Sequence, residues 1–153
     1  MVSMRFHIYT DGAARGNPGE SASGYVIFDE RKRLVAKRFF YNGTTTNNVA
    51  EYLAIVAALK KVGEEFGSVE VLIVSDSELV VNQLKGNYKV KDGKLRPLYE
   101  QALEMARGLK NCSYKNEPSE NKYISMVDAE LNRLLDNRNK LSKLENVGSQ
   151  KRL

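Results

Sequence analysis

VEVLIVSD, residues 69–76, decides the fold. Its almost unbroken apolar run is too short for a typical helix and suits a central strand buried on both faces. The stretch before it, from about Asn48 to Val62, has a helical pattern behind the polar capping segment Thr44–Asn48, and Gly63 and Gly67 mark its exit. A strand reached through such a crossover runs parallel to its neighbour. Further upstream, Met4, Phe6 and Ile8 alternate with Arg5, His7 and Tyr9, the period of a strand. Gly24 to Phe28 and Leu34 to Tyr41 read as two more strands around the polar turn DERKR, and such short links make these three antiparallel.

Downstream, SELVVNQLKG gives a short helix ending at Gly86, and residues 95–110 give another with Pro97 in its first turn. Cys112 to Glu117 reads as a fifth strand. Val127, Leu131, Leu134, Leu135, Leu141 and Leu144 stripe a final helix. The order β-β-β-α-β-α-α-β-α predicts an α/β domain: a five-stranded mixed sheet with helices on both faces. Residues 1–145 form that domain, and 146–153 read as a basic, flexible tail.

The chain has 153 residues, 42% hydrophobic and 28% charged, ordinary for one globular domain. No run approaches the ~18 apolar residues of a membrane span. The strand pattern starts too early for a signal peptide, and the lone Cys112 favours a reducing, cytoplasmic setting. Nothing in the pattern suggests an interface, so a monomer is expected.

The net charge is +5, unevenly placed. In residues 85–96, Lys85, Lys89, Lys91, Lys94 and Arg96 face only Asp92. In residues 133–153, Arg133, Arg138, Lys140, Lys143, Lys151 and Arg152 face only Asp136 and Glu145. The remainder is net acidic. Two basic clusters beside an acidic centre suit a polyanion track.

Four acids stand where a solvated charge is not expected. Asp11 closes RFHIYTDG, Asp76 closes VEVLIVSDS, Glu51 lies in the apolar helix start NNVAEYLAIVAAL, and Asp128 opens VDAELNRLL. If the first and fourth strands are neighbours, Asp11 and Asp76 emerge side by side. Like charges so placed are costly without a divalent cation, which points to metal-dependent chemistry on a phosphate. Singly, each acid has an ordinary reading as turn, cap or helix-dipole partner.

TDGAARGNPG, TNNVAEYLAI, SDSELVVNQLKGNYKVKDGKLRPLYE and VDAELNRLLD, in that order, resemble the motifs of type 1 ribonucleases H, closest to the compact archaeal and bacterial forms. The resemblance spans Phe6 to Asp136 and implies the ribonuclease H-like fold. It also implies hydrolysis of the RNA strand of an RNA–DNA hybrid with two Mg2+ ions, Mn2+ being a substitute, leaving 5′-phosphate and 3′-hydroxyl ends. The family's metal-binding, catalytic acids fall on Asp11, Glu51, Asp76 and Asp128. Asp11 is expected to bridge the ions, and Glu51 to meet the 2′-OH as well as one ion.

The same resemblance assigns substrate contacts. Gly12, Ala13 and Arg15 form a turn able to approach the minor groove, and Asn17, Asn47, Asn48 and Gln83 carry amides for it. Thr46 with Lys89 or Lys91 is expected to cradle a DNA phosphate. Capping competes as a reading of Asn47 and Asn48, and an ordinary surface-helix position as a reading of Gln83. Tyr25, Phe39, Phe40, Tyr41, Tyr52 and Tyr88 are expected to pack rather than stack on bases. The pattern departs from the family at the mobile loop histidine: the only histidine is His7, mid-strand, and the loop reads NEPSENKYISM, where Glu117, Glu120 or Lys122 are the candidate substitutes. Double-stranded RNA cleavage, a junction resolvase or exonuclease, and a catalytically dead binding module remain alternatives. The intact set of acids argues against the last.

Overall fold

The computed structural model describes residues 4–151, with side chains from Met4 to Glu145. Five strands, β1 (Arg5–Gly16), β2 (Gly19–Phe28), β3 (Leu34–Thr45), β4 (Glu70–Ser75) and β5 (Asn111–Asn116), form one sheet in the order β3-β2-β1-β4-β5. β1–β2 and β2–β3 are antiparallel, whereas β1–β4 and β4–β5 are parallel, as the crossover argument requires. The helices are α1 (Asn47–Phe66), α2 (Glu78–Lys85), α3 (Leu95–Arg107) and α4 (Lys122–Lys151).

Alternation along β1 divides the core. Phe6 and Ile8 join Tyr25, Ile27, Val71 and Ile73 beneath α1, α2 and α3. Tyr9 and Ala13 face the other way, with Val26, Phe28 and the α4 residues Val127, Leu131 and Leu135. Because α4 lies over β1, β2 and β3, it leaves β4 less covered than expected. Val74 is buried on that side, but Leu72 is only half-buried.

Several boundaries differ from the sequence reading. β2 and β3 are longer, because the β1–β2 and β2–β3 ladders continue through Gly16↔Gly19 and Gly19↔Thr45. Gly63 lies within α1 rather than at its exit: the helix ends at Gly67, whose N–H donates to the Gly63 carbonyl. α2 does end at Gly86, which takes the left-handed conformation with φ 86°. α4 begins six residues before Asp128. Asn121 Oδ1 accepts from the Tyr123 and Ile124 N–H groups and caps it, so KYISM is helix, not loop. Its backbone stays helical to Lys151; the side chains of the expected basic tail lie outside the described residues. No helix among the described residues is long and apolar enough to cross a membrane.

Candidate active site

The register of β1 against β4 builds the site. Arg5↔Glu70 through Tyr9↔Val74 are paired, and continuing that register sets Asp11 opposite Asp76. β1 itself does not stop at Asp11. It runs on beside β2 to Gly16, while β4 ends at Ser75. The gap left beyond Ser75 is the cleft. Ser75 is held from β5 by the Asn116 side-chain amide (3.0 Å) and the Glu117 N–H (3.0 Å), both donating to its carbonyl. Asp76 then occupies the tight turn into α2, whose cap is Ser77, with Ser77 Oγ accepting from the Val80 N–H.

Glu51 arrives from the second turn of α1, and Gly12 is what lets it. A Cβ on Gly12 would lie 2.4 Å from the backbone carbon of Ala50 and from the nitrogen of Glu51. Beside it, Ser23 Oγ donates to the Ala50 carbonyl at 2.6 Å. Gly12, Ala13 and Arg15 are not a turn as expected but part of β1, paired with Ser23, Ala22 and Glu20 of β2. The small Gly12 serves helix-on-strand packing, a demand added to the minor-groove approach expected of it.

Asp11, Glu51 and Asp76 present ligand oxygens all within 4.8 Å of one another. Asp11 is 4% exposed and Glu51 2%. Asp128 is more exposed and lies outside that tight trio, but it lines the same cleft of about 590 Å3 from α4. Burial, then the Asp76 carboxylate, pushes Asp11 from an ordinary 3.8 to about 8; Asp128 adds to the rise, while Glu51 and the Gly12 N–H oppose it. Burial, then Asp11 and Asp76, lifts Glu51 well above its usual range. Asp76 is raised too, first by burial and also by Asp128. Glu51 Oε2 is buried with no hydrogen-bond partner. An orphaned carboxyl oxygen among crowded carboxyl groups, with only oxygen donors present, fits a hard divalent cation.

The expected substrate residues divide. Asn47 lines the cleft with Gly12 and Ala13, and Asn17 Oδ1 accepts from the Asn47 N–H at 3.1 Å, joining the β1–β2 hairpin to the start of α1. Capping is not the task of Asn47 or Asn48, because Thr46 Oγ1 caps α1 by accepting from the Val49 N–H. Gln83 is buried (4% exposed), so the surface-helix alternative fails; its Oε1 accepts from the Tyr52 hydroxyl at 2.7 Å. Arg15 is turned to α4, donating to the Asn132 carbonyl at 3.1 Å and pairing with Asp136 at 2.6 Å. Lys89 and Lys91 line a separate concavity with Tyr88, Arg96 and Tyr99, and Thr46 is not part of its lining.

Aromatic packing follows expectation for Tyr25 and Tyr52, which are core, whereas Tyr88 is exposed. Of the proposed substitutes for a loop histidine, Glu120 lines the cleft with Ser119 and Ser125. Glu117 is paired with Lys115 at 2.9 Å, and Lys122 lies over the Tyr123 ring. His7 is exposed on β1, away from the cleft lining. The sequence reading missed Ser119 and Ser125 as cleft residues. Their signal was the Asn121 cap, which turns the chain so that both flank the opening.

Fold and site together define an α/β domain whose sheet ends in a buried carboxylate cluster suited to hard cations. The RNase H family model matches residues 3–137, and the chain belongs to that family. It is 39% identical over 114 residues to ribonuclease HI of Halobacterium salinarum, covering 74% of this chain but only 57% of that relative. The crystal structure of RNase H1 from the same archaeon superposes with a TM-score of 0.80 at 37% identity, covering 87% of this chain and 98% of that one. LC11-RNase H1 in complex with an RNA/DNA hybrid gives a TM-score of 0.80 at 35% identity, with coverage of 87% and 98%.

Proposed function

We propose that this protein is an endonuclease that hydrolyses the RNA strand of RNA–DNA hybrids, with Asp11, Glu51, Asp76 and Asp128 as its metal-binding carboxylates. The observation that carries the reading is the cleft in which the first three meet within 4.8 Å and the fourth forms the wall. Two divalent ions, Mg2+ with Mn2+ as substitute, would there supply activation of the attacking water and charge stabilisation at the leaving 3′ oxygen. The products are 5′-phosphate and 3′-hydroxyl ends.

The chain's own groups divide the remaining work. Asp11 would serve both metal positions, and Gly12 holds it through its N–H, donated to Asp11 Oδ1 at 3.0 Å. Glu51, at the start of α1 beside Asn47, would meet the RNA 2′-OH, the group that distinguishes RNA from DNA. Asn47 in the cleft lining, with Asn17 hydrogen-bonded to its backbone N–H and Asn48 adjacent, would supply amides for the minor groove, with Gly12 and Ala13 as its floor. Lys89 and Lys91 would hold phosphates at a distance from the chemistry. Thr46 contributes by capping the helix that carries these groups. Arg15 reaches substrate only by leaving Asp136, and Gln83 acts by bracing Tyr52 behind α1. We also assign the protein a monomeric, cytoplasmic state.

The test offers labelled RNA–DNA, RNA–RNA, DNA–DNA and single-ribonucleotide duplexes with Mg2+ or Mn2+. Cutting of the RNA strand in the hybrid is expected, and chelation should abolish it. Cutting confined to the DNA–DNA duplex would overturn the assignment, while equal cutting of RNA–RNA would add double-stranded RNA to the substrates.

A further inference from the structure

α4 does more than deliver Asp128. It starts at the cleft, crosses β1 and β2, and reaches the edge strand β3, where the Arg138 guanidinium lies 3.9 Å from the centre of the Tyr41 ring. Tyr41 is itself held, its hydroxyl donating to Glu20 Oε1 at 3.0 Å. Arg15 ties the same stretch to β1 through Asn132 and Asp136. Tyr41 pairs with Ala22, and Ala22 with Ala13, which lines the cleft. The helix therefore crosses the sheet at the level of the site.

Past Arg138 it continues helical to Lys151, beyond the family match, which ends at residue 137. That continuation adds roughly 20 Å at 1.5 Å per residue. Every residue from Asp136 to Glu145 is exposed, and beyond the Asp136 and Arg138 contacts no residue from Asn139 to Glu145 makes a hydrogen bond, ion pair or ring contact with another element among the described residues. Arg133 is matched with Glu130 and Arg138 is stacked on Tyr41, but Lys140 and Lys143 form no ion pair among the described residues. They are three positions apart and so share one side of the helix. Glu145 is the single acid between residues 138 and 151.

We infer that the α4 extension is an arm that grips the sugar–phosphate backbone of a long duplex outside the cleft, with Lys140 and Lys143 as its phosphate contacts. This rests on the hybrid reading of the site. Charge selects a polyanion, and continuity selects the duplex already in the cleft: Arg15, which ties the arm to β1, stands two residues past Ala13 of the cleft lining. Two exposed leucines on the arm, Leu141 (57%) and Leu144 (68%), mark the competing occupant, an apolar protein surface or a second copy. Paired lysines on a second, parallel or antiparallel arm would repel, which disfavours the copy.

The experiment compares the full chain with K140E/K143E on a short hybrid of about one helical turn and a long one of about three, at several salt concentrations. The substitutions lie on an exposed stretch, and unchanged thermal unfolding verifies the fold. For the long hybrid, the Kd should rise about tenfold at low salt and the salt slope should flatten by about two. Binding and cleavage of the short hybrid should stay as in the parent. Equal weakening on both lengths, or none on either, would overturn the arm. So would unchanged binding together with an L141A/L144A variant that lowers the mass in sedimentation. If the parent cuts no hybrid, the function reading fails first; if it cuts and K140E/K143E binds the long hybrid normally, only the arm fails.

Discussion

Asp11 is the residue on which the site turns, because it is a buried carboxylate beside two others. Its proton affinity is raised to about 8 mainly by burial and next by Asp76, so the metal-free fold must either neutralise it or bear the charge. Asp11→Asn keeps the shape and removes that conflict. We expect hybrid cleavage to fall by about 10^3-fold or more, with the hybrid Kd little changed. In chelator near neutral pH, the same variant should be more stable than the parent by about 1–3 kcal/mol. Equilibrium denaturation reads the second effect separately from activity. A variant both inactive and less stable would mean that Asp11 is a structural acid, held by partners that stabilise its charge. A variant that still cuts with Mg2+ would remove Asp11 from the metal site.

At the scale of elements, the site is a consequence of α1 docking closely on β1. Gly12→Ala places a methyl group 2.4 Å from the Ala50 and Glu51 backbone, and neither a strand nor a helix start can yield as a side chain would. The expected cost is about 3 kcal/mol, read as a lower Tm, and kcat should drop as Glu51 is pushed from the trio. A normal Tm would show that α1 stands further from β1. This packing marks where the sequence was legible and where it was not. The apolar run ending at Asp76 and the alternation ending at Asp11 each declared a strand, and local periodicity is enough for that. Helix α4 was read too short because its cap, Asn121, closes the polar run NEPSEN, and that polarity masks a capped helix start that the following KYISM already begins. Arg15 and Gln83 were read as substrate contacts because a sequence motif records which residue stands at a position. It does not record that Asp136, 121 positions away from Arg15, lies within 2.6 Å of it, nor that Tyr52 takes up Gln83. Gly12 was flagged for its smallness toward a duplex, and the structure adds a demand the motif does not spell out, a helix from its own chain.

For the whole molecule, the carboxylate cluster ties stability to pH and to divalent ions in one measurement. Asp11, Glu51 and Asp76 all hold protons more tightly in the fold than an exposed carboxylate does. They face one another from β1, α1 and the end of β4, with Asp128 from α4 and Glu120 at the rim adding like charge and no Lys or Arg among the described residues lining the cleft. A group with a raised folded value contributes its stability fully below its ordinary value, and loses it as pH rises through the folded one. The metal-free protein should therefore lose stability as pH climbs from about 4 to about 8, the window set by Asp11. Asp29 and Glu70 are shifted the other way, by the backbone N–H of Arg33 and by the side chain of Arg5 respectively, and their contribution is lost on acidification. Both are surface groups, so they trim only the acid edge of the curve. Divalent ions bind the ionised cluster, so their stabilisation should grow across the same window in which the apoprotein weakens. Thermal unfolding with Mg2+ and with chelator, at about pH 6 and about pH 8.5, should give a larger Mg2+-dependent rise in Tm at the higher pH. In Asp11→Asn that difference should shrink, because the acid that sets the window is gone. A metal-free Tm that rises steadily from about pH 5 to 8, with no response to Mg2+, would mean that these carboxylates are not crowded together in the folded protein.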